Sequence, residues 1–199
     1  MSDLNIGIIV GSTRPGRIGH FVGDWVKANA AAPGVNFEVV DLHDYKLPLL
    51  EEMFPMGAGN YAGAAANAWA HKIAEFDGYI FVTGEYNHSI PAALKNALDY
   101  VKFEWQNKAA GIVSYGSMGG VRAGEHLRQV LGELSVADVH QHVMFSIFTD
   151  FTGFGTADVE FTPAEIHKAE LDAQVSELVS WAGALRQVRE LAADEQVAA

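Results

Sequence analysis

The chain has no cysteine. That absence removes disulfides, thiolate metal ligands and cysteine nucleophiles together, so any redox chemistry has to be carried by a bound cofactor. Basic residues are also scarce: 13 Lys and Arg stand against 25 Asp and Glu, for a formal charge of −12. Nucleic-acid backbones are held by clustered Lys and Arg, and here these residues are scattered, so no nucleic-acid partner is expected. No apolar run approaches the roughly eighteen residues that a membrane-spanning helix needs. The N-terminal MSDLN lacks a basic and then apolar leader pattern. The expectation is a soluble, cytoplasmic protein with no membrane partner. No repeat or low-complexity linker interrupts the 199 residues, which suit a single domain over 1–199.

What is present is a regular alternation. Apolar, β-branched runs at 4–10, 35–40, 78–83, 110–114 and 143–147 predict strands. Helix-like segments at 20–31, 61–75, 90–101, 121–134 and 163–191 lie between or after them. Five strands alternating with five helices read as βαβ units around a parallel sheet. The last helix has a predicted start at Thr162 as cap and Pro163 as first helical residue. Two long connections break the rhythm. Residues 42–60 mix Pro, Gly and the large side chains Tyr45, Leu47, Phe54 and Met56; residues 149–162 carry Phe151, Phe154 and Phe161 and are expected to dock on the body.

In open α/β sheets ligands bind beyond the carboxyl ends of the strands. The turns that matter here read GSTRPGRIG, GEYNHS and YGSMGG, after the first, third and fourth strands. The first begins like a triphosphate loop and lacks its end: Arg17 and Ile18 stand where that loop needs Lys followed by Ser or Thr. There is no GxGxxG for a pyrophosphate either. Ser12, the two arginines Arg14 and Arg17, and a helix N-terminus make an inventory for a monophosphate. An ordinary βα turn with solvated arginines fits the same residues. In the second turn Tyr86 and His88 can lie against a flat ligand, whereas Asn87 and Ser89 read on local chemistry as capping residues.

Together, GSTRPGRIG, DLHDYKLPLL, GEYNHSIPAALKNALDY and EWQNKAAGIVSYGSMGGVRAGEHLRQVL resemble, in this order and over most of the chain, the NADPH-dependent FMN reductase family. The resemblance implies a flavodoxin-like three-layer α/β sandwich, with helices on both faces of a five-stranded parallel sheet of order 2-1-3-4-5, and bound FMN. Its phosphate would meet Ser12, Arg14, Arg17 and the Ile18 backbone. Its ring would meet Glu85, Tyr86 and Asn87, with Gly116 and Ser117 beside the pyrimidine end. One departure is Gly84, where the family usually has Pro.

The implied activity is an FMN-dependent NAD(P)H oxidoreductase. Hydride would pass from NADPH or NADH through FMN to a flavin, quinone, azo compound or metal oxyanion, by ping-pong turnover. No catalytic side chain and no metal ligand are nominated, because the cofactor carries the chemistry. A flavodoxin-like electron carrier and a flavin-free regulatory member of the fold are the competing readings. The 42–60 connection reads equally as a wall over the flavin and as a dimer contact. Tyr100, Phe103 and Trp105 in DYVKFEWQ look too many for one domain to bury. With the family's habits, they suggest a homodimer or a tetramer.

Overall fold

The computed structural model describes residues 3–51 and 61–198. Five strands, β1 (Leu4–Val10), β2 (Val35–Asp41), β3 (Gly78–Gly84), β4 (Lys108–Gly116) and β5 (Val136–Ser146), pair in parallel in the order β2-β1-β3-β4-β5. This is the order the resemblance implies. The chain steps from β1 to β2 on one side and returns to β3 on the other, so a crevice opens at the carboxyl ends of β1 and β3. Register places Val10 beside Val82 and Gly84 beside Tyr115, bringing the three turns to one edge.

Helices α1 (Gly19–Asn29), α2 (Leu42–Tyr45), α3 (Ala64–Ala74), α4 (Ala92–Tyr100), α5 (Val121–Glu133) and α6 (Ile166–Ala198) divide between the two faces. Val22 and Val26 of α1 and Leu171 and Leu178 of α6 bury one face, while Trp69 of α3, Leu94 and Leu98 of α4 and Leu127 of α5 bury the other. Covered on both sides, β3 can be apolar along its length, and every residue of it is buried.

The differences from the sequence reading have local causes. β5 starts seven residues before the expected run, because His140, Gln141 and His142 interrupt its apolar pattern on an edge strand that is wet on part of one face. His142 itself is tucked against Gly124, and burial, with Arg128 as a lesser influence, pushes its imidazole down to about 4. α6 starts at Ile166 and Thr162 does not cap it. Buried Asp150 ties this stretch instead: its carbonyl accepts from the Thr162 amide at 2.8 Å and its carboxylate from the Ala164 amide at 3.3 Å. The 149–162 connection docks through a small hairpin of β6 (Phe151–Thr152) and β7 (Glu160–Phe161), with Phe151 buried and Phe161 packed beside Phe145.

The aromatic patch offered as a dimer signal is not a surface. Tyr100 and Trp105 are 3 % and 0 % exposed, and of the three only Phe103 stands out, at 38 %. Trp105 packs at ring-centroid distances of 4.9 Å from Tyr79 and 6.1 Å from Trp69, and its indole N–H donates to the Leu98 carbonyl at 3.2 Å. The face under α3 and α4 absorbs both rings, and the final helix is on the other side of the sheet.

Candidate functional site

The first turn leaves β1 at Gly11, whose amide donates to the Val82 carbonyl and where an added Cβ would lie 3.0 Å from Leu94. Gly16 has a positive φ of 70°, and the Arg17 amide closes the turn on the Arg14 carbonyl at 3.2 Å. Ile18 then occupies the cap position of α1 with no side-chain hydrogen bond, and no acid lies in the first turn. The helix therefore presents its positive pole and its first amides without a side-chain acceptor, which suits an anion.

Ser12 is fully buried and its hydroxyl lies 2.6 Å from the Tyr86 hydroxyl, linking the first turn to the second. The exposed Arg14 guanidinium sits 5.0 Å from the centre of the Tyr86 ring. Arg17 is different. Its guanidinium pairs with Asp41 at 2.6 Å, yet its Nη1 is buried with no hydrogen-bond partner among the described residues.

The second turn is a tight reversal. The Tyr86 amide donates to the Ser89 carbonyl at 2.8 Å and the Ser89 amide to the Tyr86 carbonyl at 3.1 Å, with Asn87 and His88 both at positive φ. Neither Asn87 nor Ser89 caps α4, whose cap position is held by Pro91; the Ser89 hydroxyl meets His126 Nδ1 at 2.6 Å. Glu85 donates its amide to the Tyr115 carbonyl at 3.1 Å. Its carboxylate, 6 % exposed, forms an ion pair with Arg122 and accepts the Arg122 amide at 3.1 Å. The α5 cap residue is Gly120, which has no side chain to offer, so Glu85 caps that helix from a different turn. Burial alone would raise its pKa, but the Arg122 guanidinium and the first-turn amides outweigh burial and hold the carboxyl below its ordinary range. Arg122 Nη1 also lies 2.9 Å from His88 Nε2, which fastens the second turn to the start of α5 behind the third.

In the third turn the Gly116 carbonyl accepts the amides of Gly119 and Ile147, and the Ser114 hydroxyl donates to the Gly119 carbonyl at 2.6 Å. These bonds hold Gly116 and Ser117 over the crevice. A cavity of about 190 Å³ results, lined by Arg14, Arg17, Ile18, Glu85, Tyr86, Tyr115, Gly116, Ser117, Ile147 and Phe154. Seven of the nine nominated residues are brought together there. Ser12 lies behind it, bonded to Tyr86, and Asn87 is exposed and outside the lining.

Sequence reasoning did not nominate Tyr115, Ile147 or Phe154. In the sequence Tyr115 opens the YGSMGG turn just after the run 110–114, and its place before the Gly-Ser pair is the available signal. A second cavity of about 230 Å³ adjoins the first turn, between Thr13, Leu42, His43, Lys46, Leu47, Ala93 and Asn96. Here the start of the 42–60 connection is tied to α4, since the Asn96 side chain donates to the Pro48 carbonyl at 2.7 Å and accepts the Leu50 amide at 2.9 Å. Tyr45 and Leu47 pack on the core, whereas Phe54 and Met56 lie outside the described residues. No cluster of His, Asp and Glu among the described residues could hold a metal ion, and no described helix is long and apolar enough to cross a membrane.

The donor set fits a flavin monophosphate. It offers an uncapped helix end, two guanidiniums, one of them with a buried orphan N–H, and a narrow slot bounded by backbone and aromatic rings. Comparison with known proteins agrees. Residues 4–150 match the family of NADPH-dependent FMN reductases. An NAD(P)H-dependent FMN reductase of Schizosaccharomyces pombe is 36 % identical over 169 residues, covering 81 % of this chain and 84 % of the relative. A second, from Saccharomyces cerevisiae, is 34 % identical over 145 residues, covering 67 % and 76 %. The quinone reductase of Escherichia coli is 33 % identical over 138 residues, covering 64 % and 69 %. Among solved structures, the flavoenzyme NAD(P)H:acceptor oxidoreductase of Paracoccus denitrificans superposes with a TM-score of 0.67 at 21 % identity, covering 89 % of this chain and 98 % of that one. The flavodoxin-like sheet order, the three turns on one cavity and the match over residues 4–150 agree: this chain belongs to the NADPH-dependent FMN reductase family.

Proposed function

We propose that the cavity holds FMN, and that by way of it a hydride from NAD(P)H reaches a small acceptor, a quinone above all, in two half-reactions at one open face. The observation that carries this reading is the convergence of Arg14, Arg17, the α1 N-terminus and the 85–86 and 116–117 segments on one slot. FMN when bound supplies the hydride-accepting centre, and the protein supplies position and electrostatics. Arg14, Arg17 and the first amides of α1 hold the phosphate, and Ser12 acts through Tyr86 to fix the ring that Arg14 covers. Glu85, Tyr86 and Asn87 supply the turn along the flavin. Gly116 and Ser117 offer backbone amides that stabilise negative charge at the pyrimidine edge. Ile147 and Phe154 exclude water from one side.

A quinone as acceptor accords with the names of relatives, which include a quinone reductase and a 2-hydroxy-1,4-benzoquinone reductase. A homodimer remains the proposed assembly, with a new basis. Phe154 of the cavity lining, and Met118 and Phe148, which follow the lining residues Ser117 and Ile147 in sequence, are exposed at 44 %, 67 % and 73 %, and exposed apolar side chains so placed suit cover by a second copy. Steady-state rates with NADPH and 1,4-benzoquinone test the reading: double-reciprocal plots at several quinone concentrations are expected to be parallel. Intersecting lines would show both substrates bound at once, and no turnover would favour an electron carrier.

A further inference from the structure

We infer that Tyr115 is a ligand of the cofactor's phosphate, donating its hydroxyl from beneath the first residue of α1. This rests on the reading of the cavity as an FMN site. Tyr115 is 4 % exposed, and its hydroxyl is buried with no hydrogen-bond partner among the described residues. Buried hydroxyls are almost always bonded, and one left open beside a cavity marks a place that a ligand completes. The Ser12 hydroxyl lies near enough to act on the phenol but makes its well-formed bond to the Tyr86 hydroxyl at 2.6 Å, and Asp41 is paired with Arg17 at 2.6 Å.

The hydroxyl's position singles out the phosphate from the rest of the flavin. A Cβ at Gly19 would fall 2.6 Å from Tyr115 Oη, so the oxygen lies against the opening residue of α1, at the helix's positive pole. Arg14 and Arg17 are close enough to act electrostatically on the same hydroxyl, and Arg17 Nη1 is a second buried donor with no hydrogen-bond partner among the described residues. Two orphan donors at an uncapped helix end, lining one cavity, make an oxyanion site rather than a ring contact. Burial first, and the nearby Tyr86 second, push the phenol well above its ordinary value, so it is a donor at neutral pH. The slot for its ring is made by glycine. At Gly84 a Cβ would come within 2.9 Å of the Tyr115 ring, so the space that a proline would fill there is taken by this tyrosine.

The test compares FMN with riboflavin, which has the same ring and ribityl chain and no phosphate. Tyr115→Phe keeps the ring and removes only the hydroxyl. Its FMN dissociation constant is expected to rise roughly tenfold, as for loss of one hydrogen bond to a charged group, with riboflavin binding unchanged within about twofold. Removing an orphan hydroxyl is also expected to leave the flavin-free protein melting at the same temperature as wild type, or higher. Equal losses for both flavins, no loss for FMN, or a lower melting temperature of the flavin-free variant would each overturn the assignment. A wild-type chain that binds riboflavin as tightly as FMN would overturn the phosphate site itself, and one that binds neither would overturn the cofactor reading and this inference with it.

Discussion

Arg14→Ala is expected to bind FMN more than tenfold more weakly than wild type, a loss on the order of 2 kcal/mol. Arg14 is the arginine of the first turn that no acid among the described residues neutralises, and it already stacks over Tyr86 at the cavity wall. Removing it deletes a charge-assisted donor to the phosphate and leaves the Tyr86 ring in place. Arg17 carries the same formal charge, but Asp41 at 2.6 Å cancels most of it, so Arg17→Ala serves as the milder comparison. Riboflavin affinity should change little in Arg14→Ala, because a charge that serves the phosphate has no partner on a flavin without one. Fluorescence titration with both flavins measures this. Unchanged FMN affinity would remove Arg14 from the phosphate site.

Glu85→Ala is expected to cost about 2 kcal/mol of folding stability at pH 7, as for loss of hydrogen bonds to a charged group, and to weaken FMN as well. The carboxylate is nearly buried, carries the Arg122 ion pair and accepts the amide at the start of α5. Its loss leaves the guanidinium with His88 and the start of α5 without its acceptor, and it loosens the tie between the GEYNHS and YGSMGG turns. The pH dependence has a definite sign. The folded-state pKa lies below the ordinary value of 4.5, so the stabilisation is present in full above about pH 4.5 and is lost as pH falls through the folded pKa. Denaturant unfolding of wild type and Glu85→Ala should therefore differ most at neutral pH and converge in acid. A gap that stays constant down to pH 3 would show that the carboxylate's charge is not what matters there.

How much of this was legible in the sequence depends on whether a residue's role is local. β1 and β3 are apolar on both faces, and their runs mark them with almost no error at the ends. The first turn was legible too, because glycines, hydroxyls and arginines beside a helix start are a local inventory. The first half of β5 was hidden by His140, Gln141 and His142, which an edge strand tolerates and a run of apolar residues does not reveal. α6 starts later than the sequence suggests because the carboxylate of Asp150, twelve residues before Thr162, takes the Ala164 amide that a cap at Thr162 would accept. Glu85 was nominated as a flavin contact on its place in GEYNHS, and its carboxylate proves to face Arg122, 37 residues on. Tyr100 and Trp105 looked exposed in sequence because the partners that bury them, Trp69 and Tyr79, belong to other elements. Tyr115 was missed for the same reason: its slot is built by Gly19 and Gly84, which are neighbours only after the sheet has formed.

On the proposed reading, FMN held in this cavity takes electrons from NAD(P)H and gives them up again. The visible spectrum of the protein saturated with FMN and separated from free flavin, followed in the absence of air, tests it most directly. The expected result is a yellow protein that bleaches on addition of NADPH or NADH and regains its colour on addition of 1,4-benzoquinone. A protein that stays colourless after incubation with excess FMN, or that stays yellow in the presence of both nicotinamides, would contradict it.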